Sequence, residues 1–235
     1  MLYKEEFAMS DIVEVMVLVE GQTEHTFIKN LLSPYIVNLT GYKVFLTPML
    51  PGKQGGDVRF ERYKIDIGNH LKQRSNTYVT LMLDYYGIKE WPGLEEAKQQ
   101  TTHSQKAEII NRKTNEEVNK LFPEQNRDCR FISYVSMHEI EALYFSDPAS
   151  IAQVMNIKQT EIESILYKSG EPEAINDSSE TAPSKRLEKL YSNFKKTTTG
   201  ITIAKAVNIQ RMREHCPLFN EWVSKIENLN PLYVS

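Results

Sequence analysis

Residues 12–19, Ile-Val-Glu-Val-Met-Val-Leu-Val, are apolar at every position but Glu14 and rich in β-branched side chains, as expected of a strand covered on both faces. The run ends in Glu20-Gly21-Gln22-Thr23-Glu24. Beyond it Phe27, Ile28, Leu31 and Leu32 recur at helical spacing, with Gln22 or Thr23 placed to cap the helix. Residues 43–48 predict a second strand, and Ile65, Ile67 and Leu71 a second helix. Residues 78–84 predict a further buried strand that again ends in a carboxylate, Asp84. The polar stretch 95–119 predicts an exposed helix, residues 130–135 another strand, and residues 137–145 a helix opened by Ser136 and Glu139 at capping-box spacing.

This β-α-β-α-β order predicts an α/β domain over residues 1–150, a mostly parallel sheet flanked by helices. Residues 151–235 contain no apolar run strong enough for a second sheet and predict a helical extension packed on the first domain. In open parallel sheets ligands bind beyond the carboxyl ends of the strands. Glu20 with Glu24, Asp84, and Glu139 with Glu141 all fall at strand-to-helix junctions, so a parallel sheet would bring them together. Hard cations such as Mg²⁺ or Mn²⁺ take oxygen ligands, and without one, clustered carboxylates repel and raise one another's pKa. Glu20, Glu24, Asp84 and Glu141 are the candidate metal ligands.

Each acid also has an ordinary structural alternative. Glu24 in a first helical turn favours the helix dipole, Asp84 would cap a turn, and Glu139 would close the capping box. That capping task makes Glu141 the better ligand of the last pair. His138 and Glu141, at i and i+3, would be helix neighbours, so His138 either meets a phosphate, orients Glu141 or packs in the core. Lys185 and Arg186, ahead of a helix and with Lys195 and Lys196 behind them, are candidates for holding a phosphate backbone, the alternative being a solvated surface. Asn176-Asp177 reads as a turn pair. The loop Gly52-Lys53-Gln54-Gly55-Gly56-Asp57 is not a Walker A loop, because its lysine precedes the paired glycines and Asp57 follows them. ATP hydrolysis by this chain is therefore not expected.

Composition narrows the class further. A chain of 235 residues, 40% hydrophobic, can bury one main core. A net charge of −3 excludes a uniformly basic nucleic-acid coat and leaves room for a local basic groove. Cys129 and Cys216 form neither metal-ligand spacing nor a disulfide framework, which suits a reducing cytoplasm. The first apolar run is too short for a membrane span and lacks the form of a signal peptide.

The segment VEGQTE, Val19 to Glu24, resembles the opening glutamate motif of TOPRIM domains, particularly those of OLD-type nucleases. LDYYG, Leu83 to Gly87, lies where their DxD strand end is expected, and residues 138–143 are similar to the later acidic helix of TOPRIM-like defence proteins. More closely, the set EGQTE, LDYYG, SMHEIEALYFSDP, EAIND and APSKRL resembles a bacterial family of unknown function classed as TOPRIM-like. The resemblance implies a TOPRIM-like (Rossmann-like) sheet and Mg²⁺-dependent phosphodiester hydrolysis of DNA or RNA. Glu20 would act as acid/base or ligand, Asp84 as ligand, and Lys185 beside them as the catalytic cation. Lys185, Arg186 and His138 would contact substrate phosphate. It further implies an ATPase partner of AAA or ABC type, in defence against phage or mobile elements. Tyr86 stands where the second aspartate of DxD is expected. Either Glu24 or Glu141 replaces that ligand, or one metal suffices, or the chain binds an ATPase or nucleic acid without cutting.

Overall fold

The computed structural model describes residues 11–51, 58–175 and 181–232. Strand β1 (Val13–Val19) leads into α1 (Gln22–Phe27), which continues through a π-helical turn (Ile28–Leu32) into α2 (Ser33–Leu39) and β2 (Val44–Met49). Next come β3 (Val58–Arg59), α3 (Phe60–Gln73), β4 (Thr77–Asp84), β5 (Ile88–Lys89), α4 (Leu94–Lys98) and α5 (His103–Leu121). Strands β6 (Phe131–Ile132) and β7 (Val135–Ser136) precede a 3₁₀ helix (Ile140–Ser146). The remainder is helical: α6 (Pro148–Met155), α7 (Gln159–Ser169), α8 (Pro183–Leu190), α9 (Ile201–Val207), α10 (Ile209–His215) and α11 (Pro217–Glu227).

The main sheet runs β2-β1-β4-β6, with β7 also on β4, and every pairing is parallel. A separate two-stranded parallel pair joins β3 to β5. β1 and β4 take the centre because their apolar runs tolerate burial on both faces. One face packs against the first helical segment and the C-terminal helices, the other against α3, α4 and α5. The mostly parallel sheet and the helical C-terminal region thus agree with the pattern of the chain. Among the described residues no helix is long and apolar enough to cross a membrane.

Polar side chains fix the strand positions. Thr80, buried in the middle of β4, donates to the Ile132 carbonyl at 2.7 Å and accepts from Trp222 Nε1 at 2.9 Å, tying β6 and α11 to the central strand. Asn111 Oδ1 on α5 accepts from Ser133 Oγ at 3.1 Å and Val135 N at 2.9 Å, while Asn115 Oδ1 accepts from Ser133 N at 3.1 Å. These bonds divert the backbone at Ser133-Tyr134, so the strand expected over 130–135 is two short strands. Glu173 caps the buried start of α11, accepting from Leu218 N and Phe219 N at 2.9 Å each.

Three local expectations are corrected. Thr102 caps α5, accepting from Gln105 N at 3.2 Å, and separates it from α4, so residues 95–119 are not one helix. Gly21 occupies the cap position of α1 in extended conformation and no side chain caps it, leaving Gln22 inside the helix and Thr23 buried. The segment after β7 becomes helical only at Ile140, and Ser136 Oγ donates to the His138 carbonyl at 2.8 Å, so the Ser136–Glu139 capping box does not form. The glycine-rich loop 52–57 and the pair Asn176-Asp177 lie outside the described residues.

Arg130, at the foot of β6, is buried among carbonyls. Its guanidinium donates to Thr77 O at 3.1 and 2.9 Å, Leu71 O at 3.1 Å, Gln125 O at 2.9 Å, and Arg74 O. It closes the end of α3 against the start of β4. Arg130→Met should cost about 3 kcal/mol, because hydrogen bonds to a charged donor are worth about 1.5–3 kcal/mol each and several carbonyls lose theirs together. Urea unfolding should show a lower midpoint at an unchanged slope; a loss under about 1 kcal/mol would mean the arginine is peripheral to the fold.

Candidate functional site

The carboxyl ends of β1 and β4 lie side by side, and their terminal acids meet. Asp84 N donates to Glu20 Oε2 at 3.4 Å. Asp84 holds its own turn, its Oδ1 accepting from Tyr86 N at 3.0 Å and its carbonyl from Gly87 N at 3.0 Å. That turn brings Gly87 against Glu20, where a Cβ would lie 2.9 Å from Oε2. A Cβ here would displace the Glu20 carboxylate. One turn into α1, Glu24 joins the same edge, with its Oε2 3.2 Å from where a Cβ on Gly21 would stand.

The 3₁₀ helix and a distant turn complete the cluster. Lys196 opens a π-helical turn (Lys196–Gly200) that runs into α9. Its Nζ lies 2.6 Å from Glu139 Oε1 and 3.7 Å from Glu141 Oε2. Glu139 Oε2 also accepts from Ser184 N, in the first turn of α8, at 3.0 Å. Glu141 is 0% exposed, and among the described residues neither of its carboxylate oxygens has a hydrogen-bond partner. Such an arrangement is costly, since a buried charge without hydrogen bonds pays desolvation in full.

The electrostatics follow from this crowding. Burial first, then Glu24, raises Glu20 above the ordinary carboxylate range, and burial likewise raises Glu24. Burial pushes Asp84 up to about 7, with Glu20 and Glu139 adding to it. Glu141 is pushed to about 8, again chiefly by burial, which the Lys196 ammonium opposes and to which Glu139 and Glu24 add. For Glu139 burial also opposes the charge, but hydrogen bonds from Lys196 and Ser184 outweigh it and hold the group below its ordinary value. Lys196 loses to burial and gains more from Glu141, Glu139 and Glu24, reaching about 12. Its ammonium acts on all five acids.

Among the candidates read from sequence, the structure brings together Glu20, Glu24, Asp84 and Glu141. Glu139, set aside for a capping task, belongs with them. Two positions apart on a helix, Glu139 and Glu141 would point to different sides, but Glu139 precedes the helix, and both reach Lys196. Lys196, read with Lys185 and Arg186 as a candidate for holding a phosphate backbone, instead pairs with Glu139, 57 residues away in sequence. Lys185 pairs with Glu188 on its own helix at 2.7 Å, and Arg186 Nε donates to the Thr181 carbonyl at 2.7 Å. Among the described contacts of this turn, it is Ser184 N that reaches the acids. His138 does not neighbour Glu141 on a helix. Its ring is buried behind Tyr86, and burial together with His103 lowers it to about 3, so it carries no charge at neutral pH.

Among the described residues, no three His, Cys, Asp or Glu side chains are gathered as metal ligands as they stand. The donor chemistry nonetheless suits a hard cation: every donor is a carboxylate oxygen, and those of Glu141 are unsatisfied.

The fold and site define a parallel α/β protein with an acidic carboxyl edge. The chain belongs to the family described as a domain of unknown function, DUF4276, which matches residues 19–227 and so takes in every acid of the cluster and Lys196. Neither the curated proteins nor the solved structures include a significant match to it.

Asp84 and Glu141 ionise near their ordinary values of 3.8 and 4.5 when unfolded, but only at about 7 and about 8 when folded. Between those values the native state keeps protons that the unfolded chain has lost, so their stabilising contribution is full at low pH and is lost as pH rises through 7 and 8. Glu173, raised to about 7, acts the same way, whereas depressed Glu139 contributes only above its unfolded value of 4.5. Metal-free protein should therefore melt progressively lower from about pH 5 to about pH 9. Glu141→Gln should shrink that decline and melt above wild type at the alkaline end. Parallel curves for the two proteins would show that Glu141 ionises normally.

Proposed function

We propose that the chain is a TOPRIM-like nuclease that uses a divalent metal, Mg²⁺ or Mn²⁺, to hydrolyse phosphodiester bonds of DNA or RNA. The observation that carries this reading is the convergence of five acids at the carboxyl edge of a parallel sheet, one of them wholly buried and without hydrogen bonds. Structural roles do not require mutual repulsion of this kind, whereas a cation offsets it. Glu20, Glu24, Asp84 and Glu141 would hold the ion. When bound, it supplies neutralisation of phosphate charge and a nucleophilic water at neutral pH.

The chain's own groups divide the remaining tasks. Glu20, raised in pKa and lying against Gly87, would take a proton from the attacking water. Lys196 meets negative charge at the same edge. Lys185, the catalytic cation of the resemblance, and Arg186 follow Ser184 in α8 and would hold the strand on the Glu139 flank. Through that resemblance, a separate ATPase of AAA or ABC type would act with this chain in defence against phage or mobile elements.

A second reading is a non-catalytic subunit that binds an ATPase or nucleic acid. Two observations favour it: Lys196 already supplies a cation to the acids, and Tyr86 takes the place of a ligand.

Plasmid, single-stranded DNA and RNA incubated with Mg²⁺, Mn²⁺ or chelator separate the two. The nuclease reading expects metal-dependent cleavage that Glu20→Gln and Asp84→Asn each reduce by at least about 100-fold. Metal at a hundred times its Kd should also stabilise the wild type by about 2.7 kcal/mol, a rise of about 5–10 °C for a chain of this size. Both variants should forfeit most of that rise. Cleavage at wild-type rates in either variant would reject the proposed centre.

A further inference from the structure

The 3₁₀ helix that carries Glu141 has three residues per turn, so its residues i and i+3 lie one above the other. Glu141 and Tyr144 stand at that interval within Ile140–Ser146. Both are 0% exposed, and among the described residues neither the Tyr144 hydroxyl nor either Glu141 oxygen has a hydrogen-bond partner. A buried hydroxyl without a bond has given up its hydration for nothing, which folded proteins rarely tolerate. A phenylalanine would fill the same space without that cost, as Phe145 and Phe194 do in the same core. The oxygen of Tyr144 therefore calls for a partner.

The ring is fixed against the segment that brings Lys196 to the acids. Tyr144 Cε2 stands 3.6 Å from where a Cβ on Gly200 would lie, as does Cζ of Phe194, so the ring packs on the turn Lys196–Gly200. Lys196 opens that turn and stands 3.7 Å from Glu141 Oε2. The hydroxyl shares this electrostatic neighbourhood: burial, then Glu141, Glu24 and Glu139, raise the phenol well above its ordinary value, and it keeps its proton. A protonated phenol is a hydrogen-bond donor whose hydrogen turns to suit its acceptor.

We propose that Tyr144 is a positioning residue of the metal centre, its hydroxyl donating to the Glu141 carboxylate while that carboxylate holds a divalent cation. The inference rests on the metal part of the proposed function and adds the group that stands behind one of its ligands. A carboxylate that binds a cation is oriented by hydrogen bonds to it, and removing such a donor weakens metal binding. As it stands the hydroxyl makes no bond among the described residues. Its removal therefore matters only once a cation is bound.

The test needs no cleavage. Mn²⁺ is titrated calorimetrically into wild type and Tyr144→Phe, and each protein is also melted in chelator. Tyr144→Phe should bind Mn²⁺ about 10- to 100-fold more weakly, yet melt in chelator at or above wild type, because it leaves no hydroxyl unpaired. On a Glu141→Gln background, where Glu20, Glu24 and Asp84 remain for the ion, adding Tyr144→Phe should change the affinity by less than about 2-fold. Equal Mn²⁺ affinity in wild type and Tyr144→Phe would overturn the proposal and leave the metal centre standing. The same loss on both backgrounds would overturn it too, since the hydroxyl would then act without Glu141. A lower melt of Tyr144→Phe in chelator would show a structural partner and have the same effect. Wild type that takes up no Mn²⁺ would remove the metal centre and this proposal together. Binding that Tyr144→Phe weakens, in a protein that cuts no nucleic acid, would sink the nuclease reading and keep this one.

Discussion

The ammonium of Lys196 is shared by carboxylates that no local structure would place together, and the carboxyl edge of the sheet is organised around that sharing. Glu139 is bound to it at 2.6 Å, and Glu141 faces it at 3.7 Å with no hydrogen bond of its own. Like charges in a water-poor setting cannot all ionise unless something offsets them. Asp84 and Glu141 accordingly hold protons to about pH 7 and 8, while Glu139, with Lys196 and Ser184 on it, stays ionised. The edge is thus a graded set of acids with positive charge in short supply.

Everything that fixes the strand ends serves this grouping. Buried runs in β1 and β4 bring Glu20 and Asp84 into adjacent registers, and Gly87 lets the Asp84 turn close onto Glu20. Thr80 links β4 to β6 and α11, and Arg130 locks α3 beneath β4. On the far side the C-terminal helices share a core with β1, which is how a lysine near residue 200 reaches acids that follow the first strand. The helical region is part of the site as well as a support for it.

The sheet was legible because its central strands are continuous apolar runs, and a run buried on both faces has little alternative to a parallel sheet. Glu20, Glu24 and Asp84 were legible for the same reason: each stands at or just after the end of such a run. The remainder depended on pairings that spacing cannot show. Ser136 and Glu139 have the interval of a capping box, yet Ser184 N and Lys196 compete for the Glu139 carboxylate and win. His138 and Glu141 would be neighbours on a regular helix, but the helix starts two residues after His138 and is 3₁₀. The break between β6 and β7 came from Asn111 and Asn115 on α5, which local propensity does not reveal. Family membership extends over residues 19–227 and does not state what the acidic edge does.

The central claim is that these acids form one electrostatic unit that requires a cation, whether the tethered ammonium or a metal ion. Lys196→Met tests it most directly, because methionine keeps much of the stem and removes only the charge. In chelator at neutral pH the variant should lose about 2 kcal/mol, a partly exposed ammonium leaving a buried acid behind. Millimolar Mg²⁺ or Mn²⁺ should return most of that loss and bind the variant more tightly than wild type in calorimetry. A variant as stable as wild type in chelator, with no response to either ion, would contradict the account.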